Sequence, residues 1–183
     1  MFGLFRNKAD DAVTARLYEA ILQAARRPVL FLDYAVPDTV EGRYDMMVLH
    51  LFVLMQRLQS GSAEAKAVGQ KVCDRFFTEM DRAMREMGVG DLTVPKKMTK
   101  IAHLYAGCSQ AYATAMAEAG DAGLAGALMR NVYENAQGKS AEAQALSLYT
   151  RAAAAALAAA PEDGILAGAL PFPDPAGFFA SSP

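Results

Sequence analysis

The chain has 183 residues, 53% of them hydrophobic, with 21% charged and a formal net charge of -2. That length suffices for one domain with a real core, and the charge balance argues against bulk electrostatic binding of nucleic acid while leaving room for a local basic face. No apolar run approaches the roughly 20 residues of a membrane span, and the two cysteines, Cys73 and Cys108, have neither the spacing of a zinc site nor that of a disulfide framework.

The first residues, MFGLFRNK, are too short for a signal-peptide core and carry their charges after the apolar positions. They predict a chain that stays in the compartment where it is made. Phe2, Leu4 and Phe5 with Arg6 and Lys8 suit weak contact with an anionic membrane surface; a flexible segment over residues 1–8 is the plainer expectation.

Helical periodicity dominates the chain from there to Pro161, with alanine, leucine, methionine and glutamate abundant. Six helices are predicted. The first covers about 9–26, with Leu17, Ile21 and Ala24 on one face, and Pro28 ends it. Residues 29–37 read as extended or irregular; VLFLDYAV has strand character but no partner strand. The second helix runs from about Asp38 to Gln59, with Asp38 and Glu41 forming a capping-box variant. Gly61 and Ser62 turn the chain into a third helix over about 62–87. The fourth covers about 95–119, the fifth 121–136 and the sixth 139–160, stopped by Gly120, Gly138 and Pro161 respectively. Beyond Pro161, Phe172, Phe178 and Phe179 lie among prolines, so an irregular tail that docks its aromatics on the helices is expected. The predicted fold is all-α: a single compact domain of about six helices over 9–160 with a Pro/Phe-containing tail over 161–183.

The second helix carries Arg43, His50 and Arg57 seven residues apart and hence on one face. Between Met46 and Met55 it is apolar nearly all round, which predicts burial. If it forms an antiparallel hairpin with the third helix, Arg43 meets Asp81 and His50 meets Asp74. His50 and His103 are the histidines, and neither has an HxxxH or ExxH companion. No GxSxG elbow and no glycine-rich phosphate loop is present. The competing function for an apolar helical protein is a haem or quinone carrier using His50 or His103.

The stretch Met80–Met98, MDRAMREMGVGDLTVPKKM, is unusual. A methionine-rich helix breaks at Gly88-Val89-Gly90-Asp91 and restarts at Pro95, where glycine and proline specify a tight elbow. Lys96, Lys97 and Lys100 fall at the start of the new helix, where the helix dipole disfavours cations by roughly 0.3–1 kcal/mol each. Such a local cost points to a task outside the fold. Met80 and Met84, beside Phe77, suit either core packing or a groove for varied apolar partners.

Three runs together resemble the ubiquinol–cytochrome c chaperone family: AARRPVLFLDYAVPDTVEGRYDMMVLHLFVLMQRL at 24–58, FFTEMDRAMREMGVGDLTVPKKM at 76–98 and AGCSQAY at 106–112. The resemblance spans about Leu17 to Ala119. It implies a non-enzymatic assembly factor for the cytochrome bc1 complex, without cofactor or small-molecule substrate. Mitochondrial relatives bind newly made cytochrome b near the ribosomal tunnel exit with a small partner protein that bacterial relatives lack. By that similarity this chain acts in the bacterial cytoplasm at the inner face of the membrane, with the ribosome or the membrane surface as a further contact and no specific DNA binding. The client-contact candidates are Arg43, Tyr44, Asp45, Arg85 and Asp91 for the exposed surface and Met47, Leu51, Phe77, Met80 and Met84 for a groove. Lys96, Lys97 and Lys100 are the anionic-surface candidates.

Overall fold

The computed structural model describes residues 2–179, with side chains from residue 11 onward. The order is α1 (Phe2–Ala25), α2 (Pro28–Leu32), α3 (Val40–Gln59), α4 (Ala63–Glu86), α5 (Val94–Ala117), α6 (Ala122–Asn131), α7 (Ser140–Ala159) and α8 (Glu162–Leu166), followed by a 3₁₀ turn at Pro175–Gly177. No strand occurs among the described residues. The all-α expectation therefore stands, with two short helices in segments expected to be irregular. Pro28 stops α1 and also opens α2, because its fixed φ suits a first helical turn. α1 starts at Phe2 rather than near residue 9; the side chains of Phe2, Leu4, Phe5, Arg6 and Lys8 lie outside the described residues.

α3 is the axis of the domain. It packs against α1, α4, α5 and α7, which is why every residue from Met46 to Leu54 is buried. A stretch surrounded on all sides is apolar nearly all round, with His50 as its one polar side chain. Its N-cap is Thr39, whose hydroxyl accepts the Gly42 amide at 3.1 Å, so the cap falls one residue later than the Asp38–Glu41 box predicts. Gly42 lies so close to the Pro37 carbonyl that a Cβ there would collide with it. Ser62 caps α4 through the Ala65 amide at 3.1 Å, as the Gly61-Ser62 turn predicts.

The expected pairing of α3 and α4 charges is overturned. Arg43 Nε binds Asp38 at 2.6 Å, while Asp81 binds Arg85 at 2.7 Å. The reason is rotational: His50 and Arg57 turn toward α7 and the tail, Arg43 lies exposed near α2, and Asp74 lies on the exposed side of α4, accepting from Gln70 at 2.8 Å. α6 ends at Asn131, not near 136. Glu134 and Asn135 then take left-handed backbone angles, φ 49° and 59°, which Asn tolerates better than most residues.

The tail docks its aromatics as expected. Phe172 meets the His50 ring edge-on at 5.1 Å, Phe178 meets Tyr149 at 6.0 Å, and Phe179 meets Tyr34 at 5.2 Å. Polar contacts fix the same path: Tyr34 donates to the Pro175 carbonyl at 2.6 Å and Arg27 to that of Pro173 at 2.7 Å. Arg57 donates to the carbonyls of Leu157 and Ala160 at the end of α7, where a cation meets the negative helix terminus.

Candidate functional site

α5 leans on α3 through its aromatic residues and leaves a cleft of about 310 Å³ between the two helices. Phe52, Met55, Gln56 and Gln59 line it from α3, with the spacing of one helix face. Tyr105, Ala106, Ser109, Gln110 and Ala113 line it from α5. The small residues on α5 leave the volume open. Phe52 is held by Tyr112 at 5.6 Å between ring centroids, and Tyr105 by Phe77 at 5.6 Å. None of these nine lining residues carries a charge. The cleft thus offers an apolar floor with amide and hydroxyl groups on its rim, which suits one face of an apolar helix more than an ionic ligand.

The sequence candidates do not gather in one place. Met47 and Leu51 are 5% and 1% exposed and Met84 is buried, so these three groove candidates are packed inside in this conformation. Burial on α3 reflects its central position, and a period-seven pattern cannot say which flank of an all-apolar helix is left open. Phe77 and Met80 are half-buried on α4 against the core. Phe52, Met55 and Tyr105, which line the cleft, have no patterning that singles them out; Ala106, Ser109 and Gln110 lie within AGCSQAY, one of the three runs that carry the resemblance.

Tyr44 and Asp45 sit where α3 meets α5. The Tyr44 hydroxyl donates to the Ile101 carbonyl at 3.1 Å. Burial pushes the Asp45 carboxyl up to about 7, and the carboxylates of Glu134 and Glu41 add to the rise. Burial likewise raises the Cys108 thiol, with Asp45 contributing in the same direction. Arg43 is exposed beside Asp38, its guanidinium also over the Phe31 ring at 5.6 Å.

The elbow follows the sequence closely. Gly88 takes φ 82°, its amide donates to the Arg85 carbonyl and the Val89 amide to that of Met84, each at 3.0 Å. These two bonds form a Schellman motif. Arg85 binds both Asp81 and Asp91, bracing the turn from inside the bend. Lys96, Lys97 and Lys100 are exposed, and no ion pair engages them among the described residues.

His50 does not present a free ligand nitrogen. The Met46 carbonyl can only accept, so Nδ1 donates to it at 2.7 Å, and Nε2 accepts from the Tyr149 hydroxyl at 2.7 Å. Burial pushes this imidazole down to about 4, with the Arg27 charge acting in the same direction. His103 is exposed on α5. The two histidines therefore share no pocket, and no group of His, Cys, Asp and Glu among the described residues could hold a metal. No helix is long and apolar enough to cross a membrane among the described residues.

Comparison with known proteins first defines a class, an all-helical chaperone family. The ubiquinol-cytochrome C chaperone model matches residues 32–172. The crystal structure of the Cbp3 homolog from Brucella abortus superposes with a TM-score of 0.86 at 33% identity, covering 96% of this chain and 97% of that one. A search among curated proteins finds no match. The chain belongs to the ubiquinol–cytochrome c chaperone family.

Proposed function

We propose that this chain is an assembly chaperone that holds newly synthesised cytochrome b in the α3–α5 cleft and supports assembly of the cytochrome bc1 complex. It acts by binding alone, in the bacterial cytoplasm, with the inner face of the membrane or the ribosome as a second contact. The observation that supports this reading is the uncharged lining of the cleft in a member of this chaperone family. An emerging membrane segment exposes apolar side chains that aggregate in water. A shallow cleft lined by Phe52, Met55 and Tyr105 takes such side chains from one helix face, and its methionine and glutamines adapt to varied sequences. In this reading the partly buried Tyr44, Asp45, Phe77 and Met80 are further candidate client contacts outside the cleft, and the exposed Arg43, Arg85 and Asp91 are candidate polar contacts for the client's flanks. Met47, Leu51 and Met84 reach a client only if the helices part.

Filling the cleft tests the reading. Ala106→Trp places an indole in the open volume at an exposed helical position, so the fold should survive, as circular dichroism checks. In cells whose sole copy carries this change, membrane cytochrome b, read from its reduced haem spectrum, should fall severalfold. Ala141→Trp, exposed on α7 and away from the cleft, should leave it unchanged. Normal cytochrome b in folded Ala106→Trp cells would refute the cleft as the client site.

A further inference from the structure

We propose that the α4–α5 elbow is a membrane-docking tip that seats on the anionic headgroups of a lipid bilayer. This gives a location to the membrane contact proposed above and rests on that part of the reading alone, since the client cleft shares none of its residues. The first observation is apolar exposure. Leu92 is 98% exposed at the apex of the turn and Met87 is 59% exposed beside it, whereas the aliphatic residues of the neighbouring helices are mostly packed. The Schellman bonds and the Arg85 pairs hold this turn in shape, so Leu92 is presented on a fixed loop and not on a floppy one.

The second observation is charge. Residues 81–104 hold five cations and three carboxylates, in a chain of net charge -2. All three carboxylates are occupied: Glu86 by Arg82, and Asp81 and Asp91 by Arg85. Lys96, Lys97 and Lys100 are left uncompensated at a helix start that lacks an acidic residue and a side-chain cap. Lys96, Lys100 and Leu104 recur at four-residue spacing, so they share one face of α5, and Leu104 is 47% exposed. A rigid aliphatic tip ringed by lysines complements a bilayer interface: leucine and methionine enter the acyl boundary while the ammonium groups meet phosphates. Nucleic acid would use the lysines but gain nothing from Leu92, and the tip carries no aromatic ring on which a base could stack.

The test uses the full chain with vesicles of one part phosphatidylglycerol to two parts phosphatidylcholine, and with phosphatidylcholine alone. An environment-sensitive dye is placed at Leu92→Cys or, as a control, at Gln144→Cys; the unaltered chain reports labelling of Cys73 and Cys108. The expected result is cosedimentation with the anionic vesicles only, weakened by salt, and a blue shift at position 92 but not 144. Each lysine near the surface contributes roughly fivefold, so Lys96→Glu with Lys97→Glu should lower binding by more than about tenfold. The cleft variant Ala106→Trp should bind like the unaltered chain, which separates failure of the tip from failure of the client reading. Equal binding to both vesicle types, no shift at position 92, or full binding by the folded lysine variant would overturn the proposal. So would capture by a ribosomal RNA fragment that anionic vesicles do not compete away.

Discussion

Replacing Asp45 by Asn should stabilise the fold, by an amount that grows as pH rises from about 4 to about 7. Burial and the nearby Glu134 and Glu41 carboxylates raise the Asp45 carboxyl from the ordinary 3.8 to about 7. Each unit corresponds to about 1.4 kcal/mol, so full burial would give roughly 4 kcal/mol. Asp45 keeps part of its surface in water, and solvent screening reduces this to roughly 1–2 kcal/mol. The sign comes from linkage. Between about pH 4 and pH 7 the folded chain holds a proton that the unfolded chain has released, so Asp45 lowers stability progressively as pH rises. Asn keeps the shape and removes the charge. Urea unfolding at pH 8 should show the variant more stable by roughly 1–2 kcal/mol, and the gap should shrink markedly at pH 4.5. His50 titrates in the opposite sense in both proteins and cancels in the difference. An equal gap at the two pH values, or a less stable variant at pH 8, would refute the reasoning.

Tyr149→Phe should cost roughly 1–3 kcal/mol, because it leaves the buried His50 Nε2 without its donor; thermal unfolding reads this. Acid should weaken the parent fold at the same place: His50, lowered from 6.5 to about 4, contributes stability that is present above pH 6.5 and lost as pH falls toward 4. Arg151→Ala should cost about 2–3 kcal/mol by chemical denaturation, since Arg151 donates to the carbonyls of Ala115, Met116 and Gly120 and pairs with Asp121 at 3.0 Å. Lys96→Glu with Lys97→Glu should raise stability by roughly 0.3–1 kcal/mol per site, because a carboxylate suits the α5 N-terminus where an ammonium does not; a lower melting temperature would contradict this.

Most of the helical architecture is legible in the sequence because its stops are chemical. Gly61-Ser62, Gly88, Gly120 and Pro161 fall at helix ends, and the aromatic tail docks as its pattern suggests. Two kinds of information are missing from the pattern. Short helices such as α2 and α8 are too brief for periodicity to show. The neighbour met by each flank of α3 is also silent in sequence: the Arg43–His50–Arg57 spacing gives a polar face but not what it faces, so the spacing suggests Asp81 as the partner of Arg43 where the fold supplies Asp38. The same ambiguity favours Met47 and Leu51, which are core, over the half-buried Met55, which lines the cleft above the buried Phe52. The elbow is readable to within one residue because Gly88 takes the left-handed φ of 82° at little cost and Pro95 has its φ fixed at a value that suits a first helical turn.

Site-specific photocrosslinking in cells tests the chaperone reading most directly. A photoreactive residue at Met55, inside the cleft, is compared with one at Gln144, exposed on α7, and the captured protein is identified by mass spectrometry. Cytochrome b captured at Met55 and absent at Gln144 is the expected result. Internal crosslinks alone at Met55, or cytochrome b captured equally at both positions, would contradict the assignment of the α3–α5 cleft as the seat of the client.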